Sequence, residues 1–466
     1  MAGMVVAGGT LTQTTLTFCG GTGSVTGANF LLDTGVEKIL VDCGLIQGAS
    51  FCDERNWVPF VYDPHEIGTL FVTHAHTDHI GRIPRLVRLG FSGVIYSTLA
   101  TKDIAELMFE DALKVMREEE VRHGNMHGLL YEMSDVKKAL SLWRTVPYHD
   151  SIKLEGGMHA RLLDAGHILG SAMVEFSRGG KKLLMTGDLG NENAPLARPT
   201  EPITNIDYMV MESVYGDRNH ENTTQRKDIL KDAIQETTRQ SGVLLIPAFS
   251  IERTQIILAE ISHLLREKSI APISVYLDSP LAIRLMRVYR AHARDLNDAI
   301  RARFEHGDDP FSFPELSITS RVSESNTIYS SANPKVIVAG SGMSHGGRIR
   351  QHEKHYLGDK KTTILFPGYQ AVGSLGRRLA EGARSVRIDG EWVRVRARIR
   401  QLQGYSAHAD MDQLIAFVEQ VAPSIRKVFV AMGEPKSSLF LTQRLRDFLG
   451  VDASAPGVGE SHTLDI

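Results

Sequence analysis

Four metal-type side chains fall within six positions of THAHTDHIGRIP, residues 73 to 84: His74, His76, Asp78 and His79. They directly follow the apolar run GTLFVT, so alternate side chains project from a strand end on the rim of a sheet. Imidazole suits Zn²⁺, and a carboxylate adds a hard oxygen for a second ion. One ion takes His74 and His76, and the other takes Asp78 and His79. Each still lacks ligands. LLDAGHILGSA offers His167 at a strand end, and LLMTGDLGN offers Asp188 in the same kind of position. Alone, the first is a polar strand end and the second a turn; after HxHxDH, in this order, both read as ligands. Asp188 then bridges the ions at the ~3.5–4 Å spacing at which two metals activate one water.

The elements that carry these residues alternate short apolar runs with turns. LTQTTLTFCGG, ANFLLDTG, KILVDCG, IGTLFVTHAH, SGVIYST, HARLLDAGH, AMVEFSRGGKKLLMTGD and DYMVMES read as strands, most ending in Gly, Asp or His. A helix starts after the first cluster, with Pro84 in its first turn and Ile83, Leu86 and Val87 on one face. A longer polar helix is expected over 101–122. From 222 to 308 the order becomes helix, strand, helix, strand, as in a parallel sheet with crossover helices. The fold class is α/β, layered, with helices outside the sheets. At 466 residues the chain holds two to three domain-sized units. A formal charge of −3 gives no global attraction to a polyanion, so any such site is a local patch. Cys19, Cys43 and Cys52 lack paired spacing, which suits a reducing cytoplasm. MAGMVVAGGT has no basic leader region, and no apolar stretch approaches the ~20 residues that span a bilayer. A cytoplasmic protein without a membrane segment is expected.

HxHxDH, GHILGSA and TGD together resemble the metallo-β-lactamase superfamily. MESVYGDR, PAFSIERTQ, YLDSPLA, GSGMSHGGR, GYQAVGSLGRRL and GYSAHAD resemble its β-CASP branch of nucleases, particularly the bacterial and archaeal RNA-cleaving members. That group is related to the cleavage and polyadenylation endonuclease. The resemblance covers nearly the whole chain. It implies an αββα sandwich built from residues 1–208 and 394–466, interrupted by an inserted β-CASP domain at 209–393, with a cleft between them. It also implies that Asp42 orients a ligand histidine, that Glu212 is the acid opening the inserted domain, and that His408 protonates the leaving oxygen. Histidine titrates near neutrality, and a carboxylate such as Glu212 holds it charged. The helix led by Asp410 adds an amide end that favours phosphate.

One position departs from the pattern. The family carries a strand-end His-Gly-Glu-Pro that completes the second metal site, and KVFVAMGEPKSS puts Met432 there instead. A thioether is soft and neutral, a poor zinc ligand beside carboxylates. Three readings follow: an enzyme with a weakened second site, an inactive paralogue that binds RNA or a partner, or a DNA-acting nuclease. The first is preferred, because six ligands, Asp42, Glu212 and His408 all remain, and the Gly-rich segments resemble the RNA-cleaving branch. His345 and His462 are the candidate substitutes for the missing ligand.

For the polyanion, Gly340 to Ala407 holds thirteen Lys or Arg against five Asp or Glu. Arg394, Arg396, Arg398 and Arg400 recur at every second residue, so one strand would project all four from one face. Such a face either binds phosphates or pairs with neighbouring acids. GSGMSHGGR lets backbone amides approach phosphate, with Ser341 and Ser344 as extra donors. Arg377 and Arg378 stand beside the Gly-rich turns, Ser406 lies two residues before His408, and Tyr369 and Tyr405 flank the cleft segments. The expectation is a two-zinc phosphodiesterase acting on single-stranded RNA. A hydroxide shared by the ions, positioned with Asp78, attacks phosphorus while His408 delivers a proton. A homodimer is compatible with such folds. A small-molecule thioester or lactam hydrolase is the remaining rival.

Overall fold

A computed structural model describes residues 13–48, 53–123, 127–220, 225–368, 370, 373–402 and 404–466. Tyr369, Cys52 and the N-terminal MAGMVVAGGT therefore lie outside the described residues. Two seven-stranded sheets face each other. The first runs Ser461–Leu464, Thr14–Gly20, Asn29–Asp33, Lys38–Val41, Ile67–Phe71, Val94–Ser97, Trp143–Thr145. The second runs Ala453–Ser454, Lys427–Val430, Tyr208–Met211, Lys181–Met185, Ala172–Arg178, His159–Asp164, Ile152–Lys153.

Period-2 alternation explains the layering. Ile39, Val41 and Phe71 of the first sheet meet Phe176, Leu183, Met185 and Val210 of the second in one core. Their neighbours Leu40, Leu70 and Ile95 point the other way, onto Ile83 and Leu86 of the helix Ile83–Arg88 and Ile104 and Phe109 of Leu99–His123. On the far side Leu184, Met209 and Met211 bury Leu414 and Phe417 of Met411–Glu419 and Leu441 and Leu445 of Pro435–Leu449. The result is an αββα sandwich. The C-terminal tail belongs to both sheets: Lys427–Val430 runs parallel to Tyr208–Met211, and Ser461–Leu464 pairs antiparallel with Thr14–Gly20.

Between these parts lies a six-stranded parallel sheet, ordered Leu316–Ile318, Ser274–Asp278, Lys335–Ala339, Val243–Pro247, Thr362–Phe366, Arg398–Gln401. Its central strands are apolar on both faces, as helices on both sides require. The arginine run does not form one continuous strand. Glu391–Arg394 makes a hairpin with Ser385–Ile388, whereas Arg398–Gln401 is the edge of the larger sheet. In the interval, Val395 donates its amide to the Arg384 carbonyl, and Arg396 and Ala397 donate theirs to Leu357. These backbone partners break the strand, so the four guanidinium groups share no face, and Arg398 and Arg400 both pair with Glu236. The inserted sheet also continues to Gln401, beyond the expected limit at 393.

Candidate metal centre

The backbone after Ile67–Phe71 stays extended as far as His76 (φ −67°, ψ 146°), then turns into the short helix Thr77–Ile80. His74 and His76 thus project to one side, and the turn swings Asp78 and His79 around to meet them. The turn packs tightly against its neighbours. Ala28 donates its amide to the Asp78 carbonyl, and a Cβ on Gly44 would stand 1.5 Å from that oxygen, so only glycine fits there. His167 follows His159–Asp164, and Asp188 follows Lys181–Met185, each from the facing sheet.

These side chains converge. Ring nitrogens of His74 and His76 are 3.0 Å apart, and those of His76 and His167 are 3.3 Å apart. One ligand atom from each of His74, His76, His167 and Asp188 fits within a 4.8 Å span. Asp188 divides its two oxygens. Oδ2 lies 3.4 Å from His74 Nε2 and 3.6 Å from His167 Nε2, while Oδ1 lies 3.4 Å from His79 Nε2. Burial pushes His74 and His167 well below the usual imidazole range and His76 down to about 3, so all three are neutral donors. Neutral rings whose lone pairs face one another at these distances, beside a buried carboxylate, fit a cation such as zinc. His79 differs. Burial opposes its charge, but Asp188 and Asp42 outweigh that and hold it well above the usual range.

Asp42 sits at φ 59° with its carboxylate fully buried. It accepts the Thr73 amide and hydroxyl, both at 2.8 Å, and lies 2.7 Å from His79 Nδ1. This leaves His79 Nε2 to face Asp188. A second group joins Asp188, Glu212 and His408. Glu212 accepts the Leu189 amide at 2.6 Å and stands 3.2 Å from His408 Nδ1. Burial works against the charged ring, yet Glu212 and Asp188 push His408 up to about 9. The His408 loop is tied to the Asp188 loop by a bridge at Gly190 and by the Asn191 amide on the Ala407 carbonyl. Asp410 and Gln413 form a capping box that fixes the helix beginning at Met411.

Asp78 is half-buried, and burial raises its carboxyl above the usual range. The second position thus has Asp78, His79 and the bridging Asp188. Met432 is buried among Phe429, Ala431 and Phe30 in the sandwich core, its amide donated to the Gly21 carbonyl. His345 is exposed and His462 pairs with Glu460, so neither joins the donors. Ser341 is half-buried, with its hydroxyl donated to Gly346. Ser344 is fully buried and donates to Glu353. Arg377 pairs with Glu381 one helical turn away, Arg378 is exposed, and Ser406 accepts the His408 amide. Tyr405 is buried against Glu260. Thr73, Tyr215 and His220 lack a spacing signal and emerge only in the fold: His220 Nε2 lies 2.8 Å from the His408 carbonyl, and the Tyr215 ring stands edge-on to His220 and tilted to His408, 6.2 Å away.

Comparison with known families places these elements. The profile described as Beta-Casp domain matches residues 254–379, and the Zn-dependent metallo-hydrolase RNA specificity domain matches 392–456. Residues 15–210 match the profile of the anti-Pycsar protein Apyc1. Ribonuclease TTHA0252 of Thermus thermophilus is 36% identical over 437 residues, covering 94% of this chain and 96% of that protein. The chain belongs to the β-CASP family of metallo-β-lactamase-fold nucleases. Other β-CASP relatives include the transcription termination factor FttA of Thermococcus kodakarensis, 30% identical over 464 residues, covering 95% of this chain and 70% of that one. FttA of Methanosarcina mazei is 28% identical over 461 residues, covering 94% and 70%. A crystal structure of a protein of unknown function from Enterococcus faecalis V583 shares the fold, with a TM-score of 0.55 at 13% identity over 97% of this chain and all of that one. No helix among the described residues is long and apolar enough to cross a membrane.

Proposed function

We propose that this β-CASP nuclease hydrolyses RNA phosphodiester bonds at a centre holding two zinc ions of unequal affinity. The observation that carries the reading is the division of Asp188, with one oxygen toward His74 and His167 and the other toward His79. His74, His76 and His167 with Asp188 would hold the first ion, and Asp78, His79 and Asp188 the second. Zinc bound there supplies Lewis acidity toward phosphate oxygens and a water nucleophilic near neutral pH.

The protein's own groups do the rest. Asp42 holds His79 by its Nδ1, which fixes the ring and leaves Nε2 as the donor. Glu212, anchored by the Leu189 amide, keeps His408 protonated beside Asp188. His408 then gives its proton to the oxygen leaving phosphorus, and Glu212 stabilises the ring in position for the next turnover. Ser406, beside His408 and with solvent access, would contact the flanking strand, as would the exposed Arg378 if the strand reaches it. RNA as substrate is supported by the RNA specificity match at 392–456 and by the ribonuclease named among its relatives.

Purified chain should degrade RNA in preference to DNA or a thioester, and Asp188→Ala should lower kcat by at least ~10³, since both ions lose a ligand. Full activity in Asp188→Ala would reject the reading. RNA binding without turnover in the wild type would favour instead an inactive paralogue, for which Met432 is the specific observation.

A further inference from the structure

The PAFSIERTQ segment carries a feature that the metal centre does not use. Glu252 sits at φ 61°, ψ −54°, and the Arg253 amide donates back to the Ile251 carbonyl at 2.7 Å. That is a γ-turn of the strained, positive-φ kind, which a non-glycine residue adopts only when its surroundings hold it there. They do so here: the Glu252 carboxylate is buried and accepts the Tyr289 hydroxyl.

The turn places Arg253 at the first position of the fourteen-residue helix Arg253–Arg266, where the helix dipole disfavours a cation. No carboxylate pairs with it among the described residues. Nη1 donates to the Pro367 carbonyl, and the guanidinium lies 5.7 Å from the Tyr405 ring centroid. Its field reaches His76, and Tyr215, whose ring is 6.2 Å from that of His408, is also a neighbour. Burial pushes the guanidinium down to about 10, against the opposing pull of Tyr215, Tyr405 and Glu252. The chain thus accepts backbone strain, an adverse helix dipole and a cation without a carboxylate partner, all at one point beside Tyr405, three residues from His408. An anion settling there would relieve the last two.

We propose that Arg253 is a substrate-binding residue whose guanidinium grips a phosphate oxygen of the polynucleotide beside the bond being cut. This rests on the nuclease reading above. The planar fork suits bidentate contact with a tetrahedral phosphate, and Tyr405 and the Pro367 carbonyl keep it aimed. The strained turn anchored by Glu252 and Tyr289 is the positioning device.

The test uses full-length, zinc-loaded protein carrying Arg253→Gln or Arg253→Lys, with a short RNA oligonucleotide as substrate. Arg253→Gln should lower kcat/KM by about 10²-fold, and lysine should restore only part of it, because a point charge lacks the fork. Bound zinc should not change. The salt dependence of log KM should flatten by about 0.7, as for one lost phosphate contact on a single strand. The melting temperature should hold or rise, since a desolvated charge has gone. Wild-type kcat/KM in Arg253→Gln overturns the proposal, as does a fallen melting temperature with loss of zinc, which marks a structural role. If wild-type protein leaves RNA intact, the nuclease reading fails separately. Inorganic phosphate then decides on the anion site: stabilisation of wild type but not of Arg253→Gln supports it, and equal stabilisation of both overturns it.

Discussion

Met432 and Asp188 set the character of the centre between them. Asp188 serves two positions, but only the one with His74, His76 and His167 has a compact four-donor set. At the other, the side chain at 432 is a thioether folded into the apolar core. The backbone there is at φ 49°, a conformation that histidine visits more readily than methionine, so Met432→His fits the local geometry. The imidazole would be costly in that core without an ion, by about 1–3 kcal/mol, and useful with one. Met432→His should therefore melt below the wild type when stripped of metal and above it when loaded. Zinc retained through gel filtration should rise from about one per chain toward about two. Unchanged retention would show that position 432 does not limit the second ion. Residues of this kind were legible from local spacing: HxHxDH, GHILGSA and TGD each announce a donor at a strand end. Thr73, which steadies Asp42, and Arg253, which begins a helix like many arginines, carry no such spacing. Their roles arise from contacts between segments distant in sequence.

At the scale of elements, the strands and most helices follow from alternation and turn residues, as the inward Ile39, Val41 and Phe71 against the outward Leu40 and Leu70 illustrate. The arginine run shows where that reasoning stops. Periodicity predicts one face for Arg394 to Arg400, but the peptide groups between them find partners at Arg384 and Leu357, and the run is divided between two sheets. Alternation reports a tendency to be a strand and says nothing of which strand it pairs with. The helix Ile349–Tyr356 gives a measurable consequence of burial. It carries Glu353 into the inserted domain, where burial, against the Ser344 hydrogen bond, pushes the carboxyl from 4.5 up to about 8. The folded protein therefore holds a proton that the unfolded chain releases. This contribution to stability is complete below about pH 4.5 and is lost as pH rises through about 8. Glu353→Gln should unfold at higher urea than wild type at pH 9, with the advantage shrinking at pH 6. A pH-independent difference between the two would contradict the assignment.

Across the whole molecule, the centre is assembled from sequence regions hundreds of residues apart. The cluster at 74–79 comes from one sheet, His167 and Asp188 from the other, Arg253 from the inserted domain and His408 from the returning tail. That tail also supplies strands to both sheets of the sandwich. Ion pairs and hydrogen bonds such as Arg284 with Glu110 and Asn297 with the Pro195 carbonyl join the inserted domain to the sandwich. The most direct test follows cleavage of an end-labelled RNA by purified protein after chelation, as zinc is titrated back. The account predicts no cleavage by the stripped protein, little while the first equivalent fills the four-donor site, and recovery as the weaker site at Asp78 and His79 fills. Cleavage that persists undiminished in the stripped protein would contradict it.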